Sequence, residues 1–504
     1  MCAITGGTLS YDEAEKGIKY MHRGNDGHSI FSFDDHKVVF GFRRHSVIAP
    51  EDVRSMQPVV AKNNNVALVM NGEIFNYKFY KEKLLELGVN FESKGDAEVL
   101  LYLYLKDRDN FYKAVGESMC AVGVFDYRGD DPKIVIARDW IGEVPLHYVY
   151  KKDKKEFIFA SEIKGLLGVV CDDIQDIKAL EPGHVLEVNL NSFNSQDRKY
   201  FDRYNDPQKD TYVDLDSIGK ELRNRLEKTA EARIISDVPV CCLLSGGVDS
   251  TITTYLVKKI LDREGKDLSL YCFHVEGHPI DKNSDLYHAR KVAKYFGIEK
   301  QLNEVCIQED DIIEAIPEVI HGLEDTRSKD FNVYTAIYNH FLAKRIVADG
   351  FKVVFNGEGS DEFHGSYGSW GSFAIDPKDI IQIDFRKKMA GNLYKGVLQR
   401  TSKTMMYSGP LEMRSFFLSP DVGNYIMNIP PQFLRQGNVW KIPLVEAFED
   451  VIPKDILQRP KERPQDVTGI MSLKEKIIDR YKDFGNTDHD IFSSIFEKKF
   501  IKSK

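Results

Sequence analysis

A glycine-rich segment in the middle of the 504-residue chain has the residue types of a phosphate-binding loop. It follows a short apolar run, which predicts a buried strand, and it precedes a predicted helix. Adjacent glycines let a backbone approach an anion closely, and the N–H groups at a helix start attract negative charge. The residues that could contact a nucleotide are Ser245, Gly246, Gly247, Asp249 and Ser250. The segment lacks the GxxxxGK[ST] spacing of a Walker A loop, and the alternative is a glycine turn with a helix cap.

Cys2 carries the groups that a self-activating nucleophile needs. Because an initiator methionine is readily removed before a small residue, we expect Cys2 to become the first residue of the mature chain. Its α-amine would then titrate at roughly 8 and could take the proton of its own thiol. A cysteine at position two is by itself a weak signal, so the prediction depends on the residues that accompany it.

Three polar clusters follow Cys2 and supply the other groups that amide hydrolysis requires. They are residues 22–27 (HRGNDG), 71–76 (NGEIFN) and 95–99 (GDAEV). An asparagine amide beside a glycine N–H, as at Asn71 and Gly72, can stabilise an oxyanion. An arginine such as Arg44 can bind an α-carboxylate with two parallel hydrogen bonds. Glu73 and Asp96 can accept hydrogen bonds from an α-ammonium group. Taken singly, each cluster also suits a turn or a helix cap.

The pattern of predicted elements changes along the chain. The first 190 or so residues read as short strands with a few separate helices, which predicts a layered α/β sandwich. Residues 194–212 are polar and irregular and are predicted to be a linker. Beyond them, strands over 240–244, 268–275 and 352–355 alternate with longer helices, and this order predicts a parallel sheet. The predicted domains are therefore 2–193 and 213–504.

The order of these motifs resembles the glutamine-hydrolysing asparagine synthetase family. The motifs MC-x-I, HRG-x-D, NGEI-[YF]-N, GD-x-E-V and LLSGGVDS follow one another as in that family, and the resemblance covers nearly the whole chain. It implies an α/β fold class with two domains. The first would be a four-layer αββα amidohydrolase sandwich, and the second a parallel-sheet PP-loop domain, similar to the adenine nucleotide α-hydrolases, with extra helices.

The resemblance assigns a role to each candidate residue of the first domain. Cys2 would be both the nucleophile and its own base, and Asn71 and Gly72 would form the oxyanion hole. The residues implied to bind glutamine are Arg44, Asn71, Glu73 and Asp96. His45 departs from the family, which has an apolar residue at this position.

In the second domain the resemblance implies an ATP site. The residues implied to bind ATP are Leu243, Ser245, Gly246, Gly247, Asp249, Ser250, Val275 and Gly357. Glu358, in the segment NGEGSDE, would act in forming the acyl-adenylate and in deprotonating ammonia. Lys461, in the family's RxKE motif, would stabilise charge on the phosphates. Mg²⁺, entering with ATP, would be held by Asp249 and Asp361.

Two segments depart from the family pattern. Arg400–Met406 and Leu411–Arg414 resemble two helices of the family, but the PFLD box that follows them there is replaced by Ser415–Ser419 (SFFLS). Residues 324–332 also differ from the expected acceptor-binding stretch. Both departures are predicted to lie where the carboxylate substrate is selected, and they leave the glutamine and ATP motifs intact.

The predicted reaction is the synthesis of asparagine. Ammonia released from glutamine would cross an interior passage and attack an aspartyl-adenylate, giving asparagine, glutamate, AMP and pyrophosphate. One alternative is an amidotransferase with the same chemistry and a different carboxylate acceptor. A second is a non-enzymatic sensor of glutamine or nucleotide, against which the joint presence of the catalytic residues argues.

Composition excludes several other classes of protein. The formal charge of −9 and pI of about 5.9 give no general electrostatic reason to expect nucleic-acid binding. No apolar stretch approaches the roughly 20 residues that cross a bilayer. Seven scattered cysteines with no CxxC pair argue against a disulfide framework or a zinc site. We therefore expect a cytoplasmic enzyme whose partners are small molecules, with a homodimer as one expected assembly.

Overall fold

The structure is a computed structural model that describes residues 1–61, 65–201, 213–324, 331–367 and 377–500. The chain divides into two compact units, one comprising residues 1–203 and 235–238 and the other residues 204–234 and 239–503. The predicted α/β class is confirmed, because the first unit contains antiparallel sheets with helices and the second a parallel sheet with helices. Within the described ranges, no helix is both long enough and apolar enough to cross a membrane.

The first unit contains two six-stranded antiparallel sheets, with strand orders β10-β8-β9-β1-β3-β2 and β12-β11-β7-β6-β5-β4. Its strands are β1 (Ala3–Gly7), β2 (His28–Phe33), β3 (Val38–Arg43), β4 (Val59–Ala61), β5 (Val66–Glu73), β6 (Met119–Asp126), β7 (Lys133–Arg138), β8 (His147–Lys151), β9 (Glu156–Ala160), β10 (Lys178–Ala179), β11 (His184–Asn189) and β12 (Ser195–Lys199). Its helices are α1 (Tyr11–Tyr20), α2 (Tyr77–Glu86), α3 (Asp96–Lys106) and α4 (Arg108–Glu117).

The layers of this unit follow the order helix, sheet, sheet, helix. Helix α1 packs on β1 and β3 of the first sheet, while α3 and α4 pack on the second. Between the sheets, the ring of Phe159 lies against the backbone of Gly123, where a Cβ atom would come within 2.3 Å of it. The rings of Phe33 and Phe125 also meet across this layer, with their centroids 5.1 Å apart. The close-packed aromatic interior holds β1, which starts directly after Cys2, and β5, which ends in Asn71–Glu73.

The second unit is built on a five-stranded parallel sheet with the order β15-β14-β13-β16-β17 and a small hairpin, β18-β19. Its strands are β13 (Val240–Leu243), β14 (Ser269–Val275), β15 (Leu302–Ile307), β16 (Val353–Asn356), β17 (Glu412–Ser415), β18 (Arg435–Gln436) and β19 (Val439–Trp440). Its helices are α5 (Leu215–Arg233), α6 (Val248–Arg263), α7 (Asp285–Tyr295), α8 (Glu309–Leu323), α9 (Phe331–Ala348), α10 (Ser360–His364), α11 (Pro377–Ile380), α12 (Ile383–Gly391), α13 (Thr404–Ser408), α14 (Pro420–Asn428), α15 (Ile442–Phe448), α16 (Lys454–Leu457), α17 (Pro464–Val467), α18 (Lys474–Arg480) and α19 (Asp488–Phe500).

The strand order places a switch point at the centre of this sheet. From β13 the chain proceeds through β14 to β15 on one side, and then returns to β16 and β17 on the other. The loops that follow β13 and β16 therefore leave the same edge in opposite directions, and a crevice opens between them. These two loops carry the glycine-rich segment and the NGEGSDE segment.

The structure corrects two details of the sequence interpretation. Leu411–Arg414, compared above with a helix, contains most of β17, which pairs in parallel with β16. Its two charged residues are of a type found on helix surfaces. In the structure they form a buried ion pair within the strand, with Nε of Arg414 2.7 Å from Oε1 of Glu412. The segment predicted as a linker begins with β12, an exposed edge strand whose polar residues gave no strand pattern. Residues 202–212 of that segment lie outside the described part of the chain.

Candidate active sites

The first candidate site lies around Cys2 in the first unit. The thiol sulfur accepts a hydrogen bond from the backbone N–H of His45 at 3.2 Å and lies 3.7 Å from the carbonyl oxygen of the same residue. This backbone follows β3, the strand that pairs with β1. Five of the six residues predicted for glutamine hydrolysis line one cavity with His45, namely Cys2, Arg44, Gly72, Glu73 and Asp96.

The HRGNDG cluster positions the segment that carries Arg44. A carboxylate oxygen of Asp26 accepts a hydrogen bond from the N–H of Ser46 at 2.7 Å, and the N–H of Arg44 donates to Gly27 O at 2.8 Å. The guanidinium of Arg44 donates to the carbonyls of Ala49 and Asp52 at 2.7 and 3.1 Å. These bonds fix the plane of a guanidinium that can receive a carboxylate.

Asn71 and Gly72, the residues predicted to form the oxyanion hole, lie at the end of β5. The side-chain amide of Asn71 is fully buried and donates to the hydroxyl of Ser161 at 3.3 Å. Gly72 has a φ of 122°, and a Cβ atom there would lie 2.0 Å from the carbonyl oxygen of Met119. Only glycine fits this position. Ser161 is a supporting residue that the motifs did not reveal.

Asp96 connects two of the predicted motifs. It is the first residue of α3, and its Oδ2 accepts a hydrogen bond from the N–H of Ile74 at 2.8 Å. Asp96 and Glu73 are both buried carboxylates on the wall of the Cys2 cavity. With Glu98, which also lines the cavity, the site places three acidic groups and one arginine around a thiol, a charge pattern complementary to an amino acid with an α-ammonium and an α-carboxylate.

The second candidate site lies at the switch point of the parallel sheet, in a cavity of about 180 Å³. The predicted residues that line it are Leu243, Ser245, Gly247, Asp249, Ser250, Gly357, Glu358, Asp361 and Lys461. Gly246 has a φ of 76° and packs against His288, where a Cβ atom would come within 2.5 Å. Val275 is not among the lining residues; its N–H donates to the carbonyl of Thr468 at 2.9 Å.

The phosphate loop is held by its own hydroxyls and by one arginine. The Oγ atoms of Ser245 and Ser250 lie 3.0 Å apart at the start of α6. Arg459 donates to the carbonyl of Ser245 at 2.6 Å and to a carboxylate oxygen of Asp285 at 2.7 Å. The arginine thereby ties the loop to the first turn of α7. Sequence analysis missed this contact because Arg459 lies 214 residues beyond Ser245.

Two lysines and two aspartates form a chain of charges beside the loop. The ammonium of Lys441 lies 2.5 Å from Asp249 Oδ2 and 2.7 Å from Asp361 Oδ1, and that of Lys461 lies 2.7 Å from Asp361 Oδ2. Burial tends to raise the pKa of Asp361, but the two lysines hold it well below its ordinary value. For Lys461, burial opposes the charged form, and Asp361 and Asp249 raise its pKa above the ordinary value. Asp361 and Lys461 are therefore both charged at neutral pH.

Glu358 differs from these charged neighbours. Burial and the nearby carboxylate of Glu362 raise the pKa of Glu358 to about 8, although Arg400 and Lys461 act in the opposite direction. A carboxyl group with such a pKa can exchange a proton near neutral pH. Glu358 therefore has the acid–base properties that a proton-transfer group needs.

In their described residues, the two segments that depart from the family pattern do not line this cavity. Ser415–Ser419 is buried and lines none of it; the structure places it behind the loop that carries Glu358. Of the other segment, residues 325–330 lie outside the described residues. At its ends, Glu324 forms a buried ion pair with Lys403 at 2.6 Å, and Asn332 accepts a hydrogen bond from Arg400 at 3.1 Å.

Comparisons with known proteins agree with this division into two sites. Residues 1–182 match the glutamine amidotransferase domain family, and residues 221–376 and 385–503 match the asparagine synthase family. The chain is 30% identical to asparagine synthetase [glutamine-hydrolyzing] 2 of Arabidopsis thaliana, over 94% of this chain and 78% of that protein. It is 30% identical to asparagine synthetase B of Escherichia coli (strain K12), over 92% of this chain and 80% of that protein. For the asparagine synthetase of Mus musculus the identity is 29%, over 95% and 86%.

Proposed function

The chain belongs to the glutamine-hydrolysing asparagine synthetase family, and we propose that it uses ATP to transfer the amide nitrogen of glutamine to aspartate. The family membership predicted from the motifs is thereby confirmed. The observation that carries the proposal is the meeting of Asp249, Glu358, Asp361 and Lys461 in one cavity around the phosphate loop. These residues come from three separate segments of the sequence, and no single motif requires them to meet.

We propose that the first half-reaction takes place at Cys2. Once Met1 is removed, the α-amine takes the thiol proton, and the sulfur attacks the side-chain amide carbon of glutamine. Asn71 and Gly72 would stabilise the oxyanion, while Arg44 would bind the α-carboxylate. The C–N bond then breaks, ammonia leaves with the transferred proton, and water hydrolyses the thioester to glutamate.

The second half-reaction would begin with adenylation of the acceptor. A carboxylate oxygen of aspartate attacks the α-phosphorus of ATP, and pyrophosphate leaves. Lys461 would stabilise the negative charge that develops on the phosphates, since its ion pair with Asp361 favours the protonated ammonium. Glycines and serine hydroxyls of the phosphate loop would bind the departing pyrophosphate.

The same cavity would complete the reaction by forming the amide. Ammonia attacks the acyl carbon of the adenylate, and the bond to AMP breaks. The attacking nitrogen must lose a proton, and Glu358 is the group whose raised pKa suits it to accept one.

Asp249 and Asp361 are the residues that would hold a magnesium ion entering with ATP, because Mg²⁺ in such sites is bound by one or two carboxylates together with substrate phosphates. In the structure both carboxylates are paired with Lys441, and Asp361 is also paired with Lys461, so these ammonium groups would have to give way to the ion. When bound, the ion would neutralise phosphate charge during adenylation.

The decisive experiment measures pyrophosphate and asparagine formation by the purified chain with MgATP, aspartate and glutamine. Equal amounts of both products, with none when aspartate is omitted, would support the proposal. Pyrophosphate release with another carboxylic acid and none with aspartate would refute the assignment of the acceptor. We also propose that the enzyme works in the cytoplasm, because Cys2 requires a reducing environment and all seven cysteines are free thiols. A homodimer stays a prediction.

A further inference from the structure

The segment Ser415–Ser419 begins beside the catalytic loop. Strands β16 and β17 are parallel neighbours, and their last residues, Asn356 and Ser415, are register partners. The loop that contains Glu358 therefore leaves the sheet next to the point where the departing segment leaves it. This adjacency connects an unusual stretch of sequence with the proposed proton-transfer group.

The hydroxyl of Ser415 contacts the backbone of Glu358 directly. It donates a hydrogen bond to the carbonyl oxygen of Glu358 at 2.7 Å, and it accepts one from the N–H of Phe417 at 3.2 Å. Ser415 is 1% exposed, so water does not compete for these bonds. A buried hydrogen bond of this kind contributes more to local order than one at the surface, because its loss leaves a polar group unpaired.

The Glu358 loop depends on such bonds because glycine precedes and follows this residue. Gly357 packs under Asp249, and Gly359 has a φ of 92° with Leu418 filling the space that a side chain would need. Glycines impose little restriction on the peptide groups beside them. The orientation of Glu358 is set at its N–H by Asn356 Oδ1, at 3.2 Å, and at its carbonyl by Ser415.

We propose that Ser415 is a positioning residue whose hydroxyl orients the Glu358 peptide and thereby sets where the Glu358 carboxyl group stands in the cavity. This inference rests on the proposed function, in which Glu358 takes a proton from the attacking nitrogen. The carboxyl group of Glu358 would then be positioned by Ser415–Ser419, the segment in which the chain departs from its family.

The surrounding contacts make this inference testable, because they hold the segment without the Ser415 hydroxyl. Two guanidinium nitrogens of Arg233 donate to the carbonyl of Ser415 at 2.8 Å and to that of Leu418 at 3.2 Å. Arg414 in turn donates to the carbonyl of Arg233 at 2.7 Å. Replacing Ser415 with alanine keeps these backbone contacts and removes the bond to Glu358.

The test compares Ser415→Ala and Ser415→Thr with Ser494→Ala in ammonia-dependent synthesis from aspartate and MgATP. Ser494 also donates its hydroxyl to a backbone carbonyl, that of Phe484 at 2.8 Å, and it lines neither candidate site, so it is the matched control. We expect Ser415→Ala to lower kcat about tenfold or more, because small misplacements of a reacting group are costly, with the KM for MgATP changed less than about twofold. Ser415→Thr, which keeps the hydroxyl, should restore most of kcat.

Three further results separate the possible failures. Binding of a fluorescent ATP analogue and the melting temperature establish that the variants are folded. If Ser415→Ala matches Ser494→Ala while Glu358→Gln is inactive, the positioning role is refuted and the proposed function stands. If Glu358→Gln keeps full activity, or the unmodified enzyme releases no pyrophosphate with aspartate, the proposed function itself fails. A loss of kcat in Ser415→Thr equal to that in Ser415→Ala would also overturn the inference.

Discussion

The ammonium of Lys461 lies 2.7 Å from Oδ2 of Asp361, while the other oxygen of that carboxylate is paired with Lys441. One aspartate thus joins Lys441 and Lys461, which are 20 residues apart in the sequence. The pairing favours the protonated form of Lys461 and holds both lysines beside the loop that is proposed to bind phosphate. Their separate contributions lead to the first two predictions.

Replacing Lys461 with methionine should lower pyrophosphate release by about 100-fold, because removing one group that stabilises developing charge typically has an effect of this size. The rate of glutamine hydrolysis at Cys2 should not change. The measurement is the steady-state rate of each half-reaction. Lys454→Met is the matched control, since Lys454 is an exposed lysine paired with Glu449. Equal activity of the two variants would contradict the role of Lys461.

Replacing Lys441 with methionine should destabilise the protein. Lys441 is 2% exposed and contacts both Asp249 and Asp361, so its loss leaves two carboxylates facing each other. Breaking a buried ion pair from one side costs about 3–5 kcal/mol. A lowered melting temperature and a raised KM for MgATP are expected, and Lys454→Met again serves as the control. An unchanged melting temperature would show that the carboxylates do not need this counter-ion.

Lys441 also shows where sequence reasoning reached its limit. The phosphate loop could be predicted from its glycines between a buried strand and a helix, and Glu358 and Lys461 were implied by the resemblance of their short motifs to those of the family. Lys441 is a single lysine between Trp440 and Ile442, with no local pattern. It becomes functional only because the backbone has a φ of 56° at the start of α15 and directs the side chain into the interior. Such a contact depends on tertiary structure.

The strands show the same distinction between features that a local sequence pattern predicts and features that depend on tertiary structure. The apolar runs before the phosphate loop and before NGEGSDE predicted β13 and β16, since strands buried on both faces are continuously hydrophobic. Strand β17 contains Glu412 and Arg414, and an edge strand with charged residues does not show that pattern. The role of Ser415 could not be predicted either, because it depends on the register between β17 and β16.

Replacing Cys2 with alanine should abolish glutamine-dependent synthesis and leave ammonia-dependent synthesis within about twofold of the unmodified enzyme, because only the nucleophile is removed. The two activities are measured with glutamine and with ammonium chloride as nitrogen donor. Cys306→Ala is a suitable control, since Cys306 is exposed on β15 and distant in sequence from either motif set. Loss of ammonia-dependent synthesis in Cys2→Ala would contradict two independent sites.

The raised pKa of Glu358 predicts how synthesis depends on pH. A base must be deprotonated to accept a proton, so kcat should fall as the pH drops through about 8, where Glu358 becomes protonated. The profile is measured with the concentration of free NH₃ held constant, so that the protonation of the donor does not contribute. Glu362→Gln removes a negative neighbour and should move this limb to lower pH. The range from about pH 6 to 9 extends roughly two units below and one unit above the pKa of Glu358. A profile that is flat over this range would exclude Glu358 as the base.

Arg459 provides the last prediction, which concerns the shape of the phosphate loop. Its guanidinium bonds the carbonyl of Ser245 and the carboxylate of Asp285 at the same time, and a lysine has no planar fork with which to make both contacts. Arg459→Lys should therefore raise the KM for MgATP roughly 10-fold, since a hydrogen bond involving a charged group contributes about 1.5–3 kcal/mol. Arg463→Lys is the control, because Arg463 is partly exposed and pairs with Asp466 in the same segment. An effect of Arg459→Lys on kcat alone would mean that the arginine acts on a chemical step and not on the loop that receives the nucleotide.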